Sequence, residues 1–359
     1  MSFNNSVEAS EQAAEISTIF GDNPRFQMVK VVAYGAYGAA FRIRVNHPDL
    51  PNVQDLLIKR AFPYRAARDA LVTEKRILER LAGNEHIVQI YDIPDNPLAS
   101  ASQLDQREWI IMEWLAHGEL YSFVKKANRQ LETEGRLPNR LLWSLFLCLI
   151  RATIALGYPD SGERIPSTGQ SSGLEHGDLH SGNVLLGDPP MDDEHEIGPI
   201  LKFIDFGLAE ERPAARRTVE QSNVREIGQL MVELINMQDT SLIWEEPNEF
   251  KYQGELHRTD AKVFPFPEDV DPALLTLVCA CMITNPYKCP NLATVLRSVQ
   301  RGCRKRAADY GTDPMERDEA ISSLWKELVY NAPTSEEDPG VVSDDEPDDE
   351  PDDESDDDI

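Results

Sequence analysis

Two short stretches hold the residues best suited to chemistry. The first is His176-Gly177-Asp178-Leu179-His180-Ser181-Gly182-Asn183, which runs into the apolar Val184-Leu185-Leu186. The second is Phe203-Ile204-Asp205-Phe206-Gly207. Asp178 supplies a carboxylate that orients an attacking hydroxyl and accepts its proton. Asn183 and Asp205 supply oxygen donors for the divalent cations that neutralise a triphosphate. Taken singly, Asp178 reads as a helix cap and Asp205-Phe206-Gly207 as a turn. Their order, each beside a short apolar strand, selects phosphoryl transfer.

Further elements must position this pair. From Met28, two strands flank a small-residue turn with Gly35 and Gly38, where backbone N–H groups approach phosphates closely. A third strand, Asp55 to Lys59, ends in a lysine. The spacing of Leu71, Ile77, Leu78 and Leu81 predicts a helix over Asp69–Leu81, on which Glu74 reads by itself as a solvated charge. His86–Ile93 reads as a fourth strand and Trp109–Trp114 as a fifth. After Gly118 the chain turns helical, and Pro138–Leu156 is an apolar core helix. Tyr158–Leu174 and Gly187–Gly198 read as polar surface insertions. A helix at Val224–Met237 precedes a Pro- and charge-rich stretch to Asp271. A helical pair spans Pro272–Cys303, and another helix lies near Glu316–Tyr330. The first 25 residues predict a short helix without chemistry.

The 359 residues suffice for two lobes with real cores. The net charge is −28, but the 15 acidic and no basic residues from Glu336 to Ile359 leave −13 for the rest. An acidic body argues against nucleic acid or an anionic membrane as partner. The longest apolar stretch, Leu141–Ile150, is too short to span a bilayer. The five cysteines are odd in number and none has a histidine at metal-ligand spacing; Cys279 and Cys281, inside an apolar run, read as buried thiols, which fits a reducing compartment. That compartment is the cytoplasm, with the nucleus open to it. Met1–Phe20 lacks the basic start and apolar core of a secretory signal. From Ala332 the Asp-, Glu- and Pro-rich tail predicts disorder. Ser335, Ser343 and Ser355, each followed by three acidic residues, resemble targets of an acidophilic kinase.

From about Met28 to Cys303 these motifs resemble the eukaryotic protein kinase family. The Gly-rich loop matches Ala33 to Ala40, the strand-three lysine Lys59, and the helix-C glutamate Glu74. The hinge resembles Met112-Glu113-Trp114-Leu115, and Glu119 matches the acidic ribose contact. The catalytic loop falls on His176, Asp178 and Asn183, and the metal-binding aspartate on Asp205. Two late motifs resemble Ser222 to Gly228 and Asn285 to Pro290. The resemblance implies an α+β, bilobal fold with a mostly β N-lobe and a mostly α C-lobe. It implies an N-terminal extension at 1–27, an N-lobe at 28–116 and a C-lobe at 117–310, then a helical extension at 311–331 and the acidic tail at 332–359. It also implies Mg2+ and ATP as cofactors and a protein Ser or Thr as acceptor. Asp178, Lys59 and Glu74 are the catalytic set, and Asn183 and Asp205 the metal ligands. Gly35, Gly38, Ala40, Leu57, Lys59, Met112, Glu113, Leu115, Glu119 and Leu185 contact nucleotide.

The departures from the family pattern are specific. Gly177 replaces the arginine that answers an activation-segment phosphate. Only 17 residues separate Asp205 from Asn223, without an Ala-Pro-Glu, and Cys289 stands at the arginine that would pair with that glutamate. Asn223 replaces an anchoring aspartate. Ala40 and Leu57 exchange the usual large and small residues of the adenine roof. His-Gly-Asp-Leu-His-Ser-Gly-Asn also resembles the loop of aminoglycoside and choline phosphotransferases, which keeps a small-molecule acceptor open. A nucleotide-binding pseudokinase scaffold is the third alternative.

Overall fold

The computed structural model describes residues 2–100, 109–131, 135–166, 170–188, 194–195, 198–238, 246–263 and 268–330. The acidic tail with its three serines lies outside the described residues, as do parts of the 187–198 insertion and of the stretch before Asp271.

The architecture is α+β. Its N-terminal helix α1 (Ser2–Phe20) has 19 residues and is longer than the sequence predicts. Ala9, Gln12, Ile16 and Phe20 recur at three- or four-residue spacing and are buried. This stripe lies against an antiparallel sheet of β1 (Phe26–Tyr34), β2 (Gly38–Val45), β3 (Asp55–Ala61) and β4 (Trp109–Glu113), paired in sequence order. Gln12 Nε2 donates to the Ala61 carbonyl at 2.9 Å, and Glu15 pairs with Arg60 at 2.7 Å. Helix α1 is thus packed onto the sheet. Along β2 and β3 the pleat separates two faces. Phe41, Ile43, Leu56 and Ile58 are buried, while Ala40, Leu57 and Lys59 stay half-buried on the other side.

The sequence predicts five strands here, and the sheet has four. His86–Ile93 makes only isolated bridges, Ile87 with Phe203 and Ile90 with Met112. Its amides serve different neighbours: Val88 N–H donates to Phe203 O at 3.1 Å and Tyr91 N–H to Ile111 O at 2.8 Å. Between them the Gln89 side chain donates to the carbonyls of Asn84 and Ile87. Such divided pairing prevents a regular ladder.

Helix α2 (Arg65–Leu81) starts four residues before the expected Asp69. Its buried stripe is Ala67, Leu71, Glu74, Ile77, Leu78 and Leu81, so Glu74 occupies a core position among apolar neighbours. A single turn, α3 (Pro97–Ser100), follows. Beyond β4 the chain is mostly helical. It continues through α4 (Leu120–Gln130), α5 (Asn139–Gly157), β5 (Leu174–Glu175), β6 (Val184–Leu186), β7 (Leu201–Phe203) and β8 (Glu210–Glu211). It then forms α6 (Arg216–Asn236), β9 (Asn248–Tyr252), β10 (Glu255–Thr259), α7 (Pro272–Cys281), α8 (Leu292–Cys303) and α9 (Asp318–Trp325). β6 pairs with β7, and β5 with β8.

Helix α5 matches the helix expected at Pro138–Leu156 to within one residue at each end and extends beyond its apolar run Leu141–Ile150. By length and composition it is apolar enough to cross a membrane, but 89% of its apolar window is buried inside the fold, as in a core helix. Its N-cap, Pro138, has no capping side chain. The buried Glu316 carboxylate takes that role, accepting from Asn139 N–H at 2.6 Å and Arg140 N–H at 3.0 Å. Helix α6 begins at Arg216, not Val224. The stretch before Asp271 contains the β9–β10 hairpin, whose turn residues Gln253 and Gly254 take φ of 51° and 86°. The expected surface insertion at Tyr158–Leu174 is partly internal, because Glu163 is 6% exposed and bonds His86.

Candidate active site

The site is built on two clusters joined by the β6–β7 hairpin. In the first, Lys59 Nζ lies 2.7 Å from Glu74 Oε2 and 2.8 Å from Asp205 Oδ1. β3 supplies the lysine, the buried stripe of α2 the glutamate, and the residue pair after β7 the aspartate. Burial pulls the Lys59 ammonium down, but the two carboxylates outweigh it and hold it above an ordinary lysine. Burial pushes Glu74 up against the pull of Lys59. Burial also pushes Asp205 up, yet Lys59 holds it below the usual carboxylate range. Asp205 has φ 59°, a left-handed conformation that costs about 1 kcal/mol or more in a non-glycine residue.

In the second cluster, Asn183 Nδ2 donates to the Asp178 carbonyl at 2.8 Å and to its Oδ2 at 3.2 Å. His180 Nε2 is 4.0 Å from the same carboxylate oxygen. The loop is held from below by His176, which is fully buried and packs on Phe206 with ring centroids 4.8 Å apart. Burial drives its imidazole down to about 4, so the ring is neutral. A carbonyl only accepts, so His176 Nε2–H donates to Ile204 O at 3.0 Å and Nδ1 accepts from Asp178 N–H at 3.4 Å. Asn223 accepts from His176 N–H at 3.4 Å and donates to Leu174 O at 3.0 Å. Ile204 N–H donates to Asn183 O at 3.1 Å and links the two clusters.

The expected nucleotide contacts lie around these clusters. Ala40 pairs with Lys59, and Leu57 with Met112, on the half-buried face of the sheet. Gly38 passes so close to β3 that a Cβ would meet Arg60 O at 2.2 Å. Gly35 lies on the exposed turn, where its carbonyl accepts from Asn5 of α1 at 3.1 Å. Glu119 bridges to Leu185. The Glu113 side chain accepts from Lys202 at 2.7 Å, and its amide is spent on Gln89 O at 2.9 Å, so that amide is not open to a ligand. Glu113, Trp114, Leu115 and Ala116 border a recess of about 310 Å3 closed by Glu85, Asp188, Ile200 and Lys202. None of Lys59, Asp178 and Asp205 lines it.

The segment after Asp205 is short and tied down. Gly177 has φ 84°, and a Cβ there would come within 2.4 Å of Leu208 O, so no arginine fits at this position. Glu211 of β8 accepts from Arg76 and Arg80 of α2, each at 2.6 Å. Thr218 lies exposed in the first turn of α6. In place of a Glu–Arg pair, Glu220 accepts from Leu292 N–H at 3.0 Å, and Arg217 donates to Tyr287 O at 3.3 Å.

Sequence reasoning missed two features. Glu226 of α6 faces Glu175 and Asp178, and burial together with these carboxylates raises its carboxyl to about 7. Helical spacing within Val224–Met237 gave no sign of that approach. Cys148, read as a thiol without histidine partners, lies close to His86 and His195, which are far from it in sequence. Compared with known proteins, no family model matches the chain and no curated sequence matches it.

Proposed function

We propose that the chain is an ATP- and Mg2+-dependent phosphotransferase with a bilobal protein-kinase-like fold, and that it acts on Ser or Thr of a protein. The observation that carries this reading is Lys59 held between Glu74 and Asp205, with Asp178 and Asn183 one hairpin away. The donor set suits the cofactor. Asn183 uses its nitrogen on Asp178 and Asp205 uses Oδ1 on Lys59, which leaves Asn183 Oδ1 and Asp205 Oδ2 without partners among the described residues. These are hard oxygen ligands of the kind Mg2+ prefers. When bound, the metal neutralises the phosphates.

The remaining roles fall to the chain itself. Lys59, fixed by Glu74, binds phosphate oxygens. Asp178 is 46% exposed at its side chain, so it meets an acceptor hydroxyl and takes its proton. His180, beside it, is placed to contact the transferred phosphate.

A second reading, a small-molecule acceptor, is favoured by one observation. The segment between Gly207 and α6 is committed to the β5–β8 pair and the Glu211 contacts, which leaves little platform for a peptide. Radiolabelled ATP offered in parallel to a peptide library and a metabolite panel separates the readings. Label in peptides supports the first and label in a metabolite the second. Nucleotide binding without transfer to either makes the chain a scaffold.

A further inference from the structure

Behind the candidate active site, three potential metal ligands meet in the interior. His86 follows α2, Cys148 lies in the middle of α5, and His195 precedes β7. They are 1%, 0% and 2% exposed. Their ligating atoms all lie within 4.8 Å of one another, and the two Nε2 atoms are 3.1 Å apart. Tetrahedral zinc with Zn–N near 2.05 Å sets two nitrogens about 3.3 Å apart and a nitrogen and a sulfur about 3.5 Å apart. The imidazoles therefore already stand at ligand spacing, and the thiol has about 1 Å to close.

The outer shell fits as well. Glu163 grips His86 twice: its carboxylate accepts from His86 N–H at 2.7 Å and from Nδ1 at 2.5 Å. An Nδ1–H donor leaves Nε2 as a lone pair aimed at His195, the tautomer a metal requires. Glu163 adopts φ 59° to make this contact, and Arg151 holds its backbone carbonyl at 2.8 Å. Its negative charge balances the single net positive charge of a divalent cation with one thiolate.

We propose that His86, Cys148 and His195 supply three of the four ligands of one Zn2+, with His86 oriented by Glu163, and that the ion ties the sheet-bearing part to α5. The ligand types select zinc: two imidazoles and a thiolate are poor partners for the Mg2+ of the proposed reaction. This tie acts on the active site at one remove. His86 O accepts from Phe203 N–H at 2.9 Å, and β7 leads directly to Asp205. The proposal is independent of the phosphotransferase reading.

The test is the metal content and Co2+ spectrum of the full chain, purified without chelator from zinc-supplemented cells. The expected result is one zinc per chain. Co2+ exchange should give visible bands with a thiolate charge-transfer component. Cys148→Ser should remove that component and His195→Gln should weaken binding at least tenfold, while Cys279→Ser, another buried thiol, changes neither. If the ligand variants do not fold, wild-type protein decides: chelation should lower the melting temperature and speed modification of Cys148 by a thiol reagent, and Zn2+ should reverse both. A metal-free protein that takes up no Co2+, and whose melting ignores added Zn2+, overturns the proposal and leaves a plain His195-to-His86 hydrogen bond.

Discussion

Arg76 of α2 donates to Glu211 of β8 at 2.6 Å, across 135 residues of sequence. Arg80, one turn later, takes the other carboxylate oxygen. The helix that carries Glu74 is thereby fastened to the segment that follows Asp205. Under the proposed phosphotransferase reading, this acidic side chain would take the place that a phosphate has in a switchable segment. The contact is half-exposed, so it is worth about 1 kcal/mol.

Transfer should therefore not depend on phosphorylation of that segment. Bacterially expressed protein, its phosphatase-treated form and Thr218→Ala should turn over equally. Glu211→Ala should slow turnover about fivefold, the equivalent of about 1 kcal/mol, with little change in melting. A large loss on dephosphorylation that Thr218→Ala reproduces would refute this account of Gly177 and Glu211.

Lys59→Met should abolish transfer, and it should also lower stability. Glu74 is 1% exposed, and removing its cation leaves a buried carboxylate unpaired, a change that costs about 3 kcal/mol. Lys59→Met/Glu74→Gln should recover most of the melting temperature and none of the activity. Activity in either variant, measured by labelled transfer, would remove Lys59 from the site.

Stability should respond to pH through Glu226 and His176 in opposite directions. Burial and its acidic neighbours raise Glu226 from 4.5 to about 7, so its contribution is full below 4.5 and is lost as pH rises through 7. Burial lowers His176 from 6.5 to about 4, so its contribution is present above 6.5 and is lost as pH falls through 4. Glu226→Gln should thus stabilise the protein at pH 8 by about 1–2 kcal/mol and have little effect at pH 4.5. Melting curves across that range check it, and equal shifts at both ends would contradict the assignment.

Glu316→Ala should destabilise the fold by about 2–3 kcal/mol. It strips the cap from α5 and leaves Arg136, 9% exposed, without the carboxylate oxygen 3.2 Å away. Urea unfolding measures the loss, and Glu316→Gln should restore part of it because an amide oxygen still accepts. A midpoint unchanged in Glu316→Ala would mean that water caps the helix.

How much was legible in the sequence follows from range. Asp178, Asn183 and Asp205 stood out because they lie within 28 residues and beside apolar strands. Glu74 was readable as an acid at a helical position, and its burial only became visible once α2 was packed. The β9–β10 hairpin hid because its turn is Gln253-Gly254, where asparagine is the usual sign of a left-handed first residue. The start of α6 was missed because Arg216 to Ser222 offers few apolar residues to set a period. Glu211, Glu316 and Cys148 were invisible for a different reason. Each matters through a partner more than 40 residues away, and no local pattern encodes that distance.

The cap on α5 also bears on the order in which this molecule is made. Asn139 leaves the ribosome 177 residues before the glutamate that satisfies its amide. Through that interval a nascent chain carries a long apolar helix whose first amides lack this acceptor. The segment around Glu316 is therefore the clasp that closes the start of this helix. A chain that stops before Glu316 leaves those two amides without their carboxylate acceptor.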